Sequence, residues 1–264
     1  MTAPTAVLAV TSTASWYPPE GLLQRGTLVL LPGRGENPAV YERFGRRLAA
    51  DAYVVHILDT TSGPDEARLA ADIAQVTQSA AAPLVLAGSD TGALRALAAA
   101  VHPVLHINAL LLAGTALEGD RTSLSDPSDL SDWDSELGVR TACPTHRGRL
   151  DADAAFGRGS LADPVPTGLA QAAEQAVPQL GALPVLLVHG EADTVSPVAA
   201  VRRLASSLPG SVLATVADGR HDALNDISHR SVAATVIQWL ERLRGGAHLP
   251  TVITVTATQP VDGK

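Results

Sequence analysis

The sequence predicts an α/β fold with a mostly parallel central sheet covered by helices on both faces. Three observations predict it. Short Val/Leu/Ala runs alternate with longer helical segments, the connections between them are short, and one apolar strand runs through a Gly-Ser-Asp-Thr-Gly turn into an alanine-rich helix. At 264 residues with 46% hydrophobic content, the chain can bury a full core as one domain, 1–264, without a second.

The start, MTAPTAVLAVTSTASWYPPEG, has no basic n-region and only a short apolar run. Neither a signal peptide nor a membrane-inserted span is expected, and the cytoplasm is the default location. Thr27 to Leu31 is the first strand expected, apolar without alternation as a buried central strand should be. A helix follows over Ala39 to Ala50, a strand over Tyr53 to Leu58 and a helix over Asp65 to Gln78. The strand Leu84 to Ala87 enters the turn, the helix Thr91 to His102 leaves it, and the strand Ala109 to Ala113 closes this half. From Gly114 to Leu183 the sheet pattern stops, and Ser, Asp, Gly and Pro accumulate around Trp133, Cys143 and the stretch Ala155 to Pro166. This reads as a cap inserted at about residues 115–180. The sheet resumes with the strand Val185 to Val188, the helix Pro197 to Ser207, the strand Val212 to Val216 and the helix Ser231 to Arg244. A tail from about residue 246 alternates Val and Thr like an exposed strand, with no partner evident. No internal repeat is found.

The net charge of −8 and a pI near 5.4 argue against nucleic acid and against an anionic membrane surface as partners. Cys143 is the only cysteine, which rules out an internal disulfide framework.

The turn itself is the most informative stretch. Gly88 and Gly92 lie two positions either side of Asp90, where strand and helix must pack so closely that any Cβ would crowd the bend. Asp90 is therefore at the apex, the reacting position of a nucleophile elbow. Taking Ser89 as the nucleophile would instead put Ala87 and the β-branched Thr91 at the positions that need small residues.

This spacing resembles the α/β-hydrolase superfamily, and the resemblance extends along most of the chain. Gly26 to Ala50 looks like that superfamily's strand, oxyanion loop and first helix; Pro184 to Pro197 looks like the strand and loop of the triad acid; Ala217 to Asp226 looks like the histidine loop. It implies an α/β-hydrolase fold with a small cap, Asp193 as the acid and His221 as the base, in the order nucleophile, acid, histidine. The similarity is nearest to the monoacylglycerol lipase and serine aminopeptidase branch, around Tyr41-Glu42-Arg43 and Arg220-His221-Asp222. Those enzymes carry serine where Asp90 stands, whereas epoxide hydrolases and haloalkane dehalogenases of the fold carry aspartate.

The resemblance implies covalent chemistry with no metal and no cofactor. Carboxylate attack by Asp90 on an sp³ carbon bearing a leaving group gives an alkyl-enzyme ester, which water activated by His221 then hydrolyses. The backbone N–H groups of Arg34 and Thr91 are the expected oxyanion hole, with Gly33 and Gly35 allowing close backbone approach. Two departures are visible. Tyr17, Tyr41 and Tyr53 all precede the elbow, so the cap has no tyrosine to protonate an epoxide oxygen, and Thr91 stands where dehalogenases carry a halide-binding tryptophan. Trp133 is the one tryptophan placed to contribute from the cap, and Thr145, His146 or an arginine would have to replace the missing acid.

The substrate expected is a small, fairly apolar molecule, with Gly33, Gly35, Glu36, Ser89, Trp133 and His146 as candidate contacts. Ester hydrolysis is kept as a broader reading. A non-hydrolytic enzyme using Asp90 or the His221–Asp193 pair as base, and a decayed binding scaffold, are the alternatives. Glu36 could instead cap the following helix, and Asp222 competes with Asp193 as the acid but is poorly placed beside His221. Asp193 could also be a mere turn residue. Cys143 and His146 supply only two ligands where zinc needs at least three and a water, so a structural role in the cap is expected of them. Arg147, Arg149 and Arg158 are expected to be solvated. The resemblance also allows a homodimer.

Overall fold

The computed structural model describes residues 13–61, 63, 65–117, 130 and 132–254. Seven strands form one sheet: β1 (Thr13–Trp16), β2 (Gly26–Leu31), β3 (Tyr53–Leu58), β4 (Leu84–Ser89), β5 (Ala109–Ala113), β6 (Val185–Gly190) and β7 (Ser211–Val216). Their order across the sheet is β1-β3-β2-β4-β5-β6-β7, and every pair is parallel except β1 with β3. The helices are α1 (Glu42–Ala50), α2 (Glu66–Val76), α3 (Thr91–Ala99), α4 (Trp133–Arg140), α5 (Pro144–Ala152), α6 (Thr167–Ala176), α7 (Val198–Ser206) and α8 (His229–Arg244). With the fold expectations met, this is an α/β-hydrolase architecture.

Both faces of the sheet are covered, which is why its strands read as unbroken apolar runs. Leu28 and Leu30 of β2 point to one face with Tyr53, Val55 and Ile57 of β3, against Phe44 and Leu48 of α1 and Val236, Trp239 and Leu240 of α8. Val29 and Leu31 point to the other, with Leu86, Leu110 and Leu112, against Leu69 and Ile73 of α2 and Leu94 and Leu97 of α3. The chain moves outward from β2 to β3 and then crosses back to β4 on the other side of β2, so the strand order reverses between β2 and β4. In open parallel sheets the crevice beyond the carboxyl ends of such strands is where ligands bind. The loop after β2 carries Gly33 to Glu36, and the residue after β4 is Asp90.

Two features depart from the sequence expectations. The edge strand β1 was not anticipated: four residues, TASW, are too short to show a pattern, and they are strand because they pair antiparallel with β3. Among the described residues between β5 and β6 lie the α-helices α4 to α6, in a stretch whose Ser, Asp, Gly and Pro content hides them. The strand expected in the tail is not formed over residues 251–254, and the rest of that stretch lies outside the described residues. Among those described, no helix is long and apolar enough to cross a membrane.

Candidate active site

β4 ends at Ser89, and α3 begins at Thr91, leaving Asp90 alone to make the turn. It does so with φ 51° and ψ −121°, a conformation that non-glycine residues avoid and that functional turns hold under strain. The two glycines make the bend feasible. A Cβ on Gly88 would lie 2.1 Å from the Gly92 carbonyl oxygen, and one on Gly92 would lie 2.0 Å from the Leu31 carbonyl oxygen. The backbone is secured on both sides, since the Asp90 N–H donates to the Ala113 carbonyl at 3.0 Å and the Asp90 carbonyl accepts from Ala93 and Ala116 N–H.

The structure brings Asp90, His221 and Asp193 together, all buried. His221 Nδ1 lies 2.8 Å from Asp193 Oδ2, and Nε2 lies 3.2 Å from Asp90 Oδ1. Asp193 is oriented by the turn after β6, its Oδ1 accepting the N–H groups of Val195 at 2.9 Å and Ser196 at 3.0 Å. Asp222 faces away from this ring. It pairs with His146 Nε2 at 3.0 Å and with Arg140 at 3.6 Å, so it does not compete for His221.

Arg34 holds the other side of Asp90. Its backbone N–H donates to Oδ2 at 2.8 Å, its Nε to the same oxygen at 2.9 Å, and its Nη2 to Oδ1 at 2.8 Å. The Thr91 N–H, the second oxyanion donor expected, makes no hydrogen bond to this carboxylate among the described residues, and the carboxylate's other donors come from the Arg34 side chain. The same guanidinium reaches the β5–β6 segment, where Nη1 donates to the carbonyls of Leu161 at 3.1 Å and Asp163 at 2.6 Å. Sequence reasoning assigned Arg34 only its backbone N–H, because nothing in a Gly-Arg-Gly run reveals where the side chain folds.

These contacts set the charges. Burial by itself would raise the Asp90 carboxyl, but Arg34 and then His221 hold it well below the usual carboxylate range. Burial also opposes a charge on His221, yet Asp193 and then Asp90 push it up to about 10. Asp193 is lowered as well, its burial outweighed by His221, His189 and the Ser196 N–H. These shifts all favour an imidazolium between two carboxylates, with the Arg34 side chain clamped on one of them. His189 is a neighbour that the sequence did not single out. It is buried, Nε2 lies 2.7 Å from the Ser196 carbonyl, and burial lowers its pKa, so it is a neutral support beneath Asp193.

The remaining candidates divide into loop supports and residues of the β5–β6 segment. Gly33 and Gly35 permit close approach: a Cβ on Gly33 would lie 2.6 Å from Asp90 Cβ, and Gly35 has φ +73° with the Gly157 N–H on its carbonyl at 2.8 Å. Glu36 neither faces outward nor caps a helix. Its Oε2 accepts the Gly33 N–H at 2.8 Å and the buried Tyr41 hydroxyl, and burial beside Asp222 raises its pKa to about 7. The cap of the short turn over Pro38–Tyr41 is Asn37. Ser89 is buried at the end of β4. Trp133 lies tilted against Phe156 with Arg158 over its ring and donates to Asp151, and His146 is held by Asp222. Arg149 and Arg158 are surface partners of Glu42 and Asp151. Cys143, buried at the start of α5, lies 3.4 Å from Arg43 Nη1.

A family model described as "Serine aminopeptidase, S33" matches residues 23–228. No curated protein matches the chain in sequence. Among solved structures it is similar to a monoacylglycerol lipase from Paleococcus ferrophilus, at 18% identity and TM-score 0.68 over 87% of this chain and 98% of that one. It is also similar to a soluble variant of monoglyceride lipase from Saccharomyces cerevisiae solved with a substrate analog (16%, 0.70, 87% and 91%). A bromoperoxidase from Bacillus anthracis is a third (16%, 0.61, 87% and 94%). At these identities the structural likeness speaks to fold.

Proposed function

The chain belongs to the serine aminopeptidase family of α/β-hydrolases, and from that premise we propose that it hydrolyses a small, fairly apolar substrate by covalent attack of Asp90 on an activated sp³ carbon, an epoxide or an alkyl halide. The observation that supports this reading is the geometry of the site, in which Asp90 stands at the strained apex of the elbow within reach of both His221 and the Arg34 donors. A nucleophilic carboxylate must be charged and aimed, and Asp90 is both, with Oδ2 on the Arg34 N–H and Oδ1 toward His221.

Attack by Oδ1 forms the Oδ1–carbon bond as the bond to halide or epoxide oxygen breaks. The resulting ester is neutral. His221 then loses one of the two carboxylates that kept it protonated, so its affinity for its proton falls; it gives that proton to the alkoxide of an opened epoxide, or to solvent after a halide has left, and so becomes the base for the second step. Mechanisms that begin with a base are less well served. Ester hydrolysis by His221-activated water, or a lyase or cyclase using the His221–Asp193 pair, needs a neutral imidazole in the resting enzyme, and an Asp90 held well below its usual range is a poor base.

A second reading, a non-catalytic binding scaffold, draws on the clamp of Arg34 over both Asp90 oxygens. The two separate by intact and peptide mass spectrometry of His221→Gln protein incubated with styrene oxide, 1-bromohexane and p-nitrophenyl acetate. The covalent reading expects an alkyl adduct on the Asp90 peptide from the epoxide or the halide, stalled for want of a base. No adduct, together with no turnover by unaltered protein, would leave the scaffold.

A further inference from the structure

Hydrolysis of an ester on Asp90 places a negative charge on its carbonyl oxygen, and that oxygen must be met by preorganised donors. Two donors already converge on Oδ2, and both belong to one residue: the Arg34 backbone N–H at 2.8 Å and Nε at 2.9 Å. The side chain is buttressed on every side. Nη1 is tied to the Leu161 and Asp163 carbonyls, and the Arg34 carbonyl accepts from Arg140 Nη2 at 2.9 Å. Arg140 is itself fully buried and paired with Glu136 at 2.9 Å.

We propose that the Arg34 side chain is a catalytic residue, in which Nε completes the oxyanion site on Asp90 Oδ2 while Nη2 masks Oδ1 until substrate arrives. The inference rests on the covalent reading of Asp90. Water attacks Cγ of the ester, its proton passes to His221, and the π pair of the carbonyl moves onto Oδ2 between the two Arg34 donors. Collapse breaks the Cγ–Oδ1 bond and releases the alcohol, which carries Oδ1 and takes the proton back from His221. The carboxylic acid left on Asp90 gives its remaining proton to His221, restoring the imidazolium and the resting ion pair. Arg34 thus acts with opposite sign in the two steps. It stabilises the resting carboxylate and restrains alkylation, and it stabilises the tetrahedral oxyanion and promotes hydrolysis.

The test is a time course of the Asp90 adduct by intact mass spectrometry, using styrene oxide and 1-bromohexane with unaltered protein, Arg34→Met and Arg34→Lys. Met keeps side-chain length without donors, and Lys keeps the charge without the fork. In Arg34→Met, adduct hydrolysis should fall about 100-fold, as loss of an oxyanion donor does, while alkylation is not slowed, so the ester accumulates. Arg34→Lys should fall between. Hydrolysis within about threefold of unaltered protein, or an equal slowing of both steps as general damage would cause, overturns the proposal. If His221→Gln is labelled on Asp90 when this happens, the covalent reading survives and only the role of Arg34 is lost. If no probe labels His221→Gln, the covalent reading fails first and takes this role with it.

Discussion

His221 sits between two carboxylates, and its protonation couples the chemistry of the site to the stability of the fold. Its folded pKa of about 10 lies above the ordinary 6.5, so its stabilising effect is complete below 6.5 and is lost as pH rises through about 10. Asp90 and Asp193 are shifted below 3.8, so theirs is present above 3.8 and is lost as pH falls through their lowered values. The difference in melting temperature between unaltered protein and His221→Gln should be largest between pH 3.8 and 6.5 and shrink toward pH 10. A difference independent of pH would mean that the ring is not charged as described. At this scale the elbow glycines point to Asp90 by spacing, the resemblance points to Asp193 and His221, and the structure brings the three together. The sequence was not legible where a side chain's direction decides. Glu36 accepts from Gly33 and Tyr41 and does not cap the following turn, because only closure of the loop brings those donors to it.

The elbow is the element on which everything else depends, and its tolerance is set by backbone contact. In Gly88→Ala the new Cβ would meet the Gly92 carbonyl, an immovable neighbour in α3, so stability should fall by about 3 kcal/mol in denaturant titration. Gly148→Ala in α5 is the control. Its Cβ meets nothing within 4 Å, and removing a glycine from a helix interior should stabilise by about 0.5–1 kcal/mol. Equal effects at the two sites would contradict the close-approach argument. The parallel strands and their helices were readable because both faces of the sheet are buried, making each strand a solid apolar run. The helices α4 and α5 were not, since their apolar residues are sparse. Their signals are local ones, Asp132 accepting the Ser135 N–H at the start of α4 and Pro144 in the first turn of α5.

Across the whole molecule, buried charge joins the β5–β6 segment to the sheet. Arg140 of α4 pairs with Glu136, approaches Asp222 beside His221, and holds the carbonyl of Arg34. Arg140→Met would strand two carboxylates in the interior and should cost about 3–5 kcal/mol by denaturant titration, with adduct hydrolysis slowed because Arg34 loses its anchor. Retained stability would show that the segment is held by packing alone. A mostly parallel sheet covered on both faces could be expected from the sequence; the clamp joining the loop after β2 to the β5–β6 segment could not, because its partners are 106 residues apart in the Arg140–Arg34 bond. The central claim, that Asp90 is the nucleophile, is tested most directly by a single turnover of unaltered protein in ¹⁸O-labelled water, using whichever epoxide or halide labels His221→Gln. Covalent attack predicts that the first alcohol released carries an unlabelled oxygen from Asp90 and that the label appears in the Asp90 peptide. Label in the first product, with none in Asp90, would mean that water attacks the substrate directly and would contradict the account.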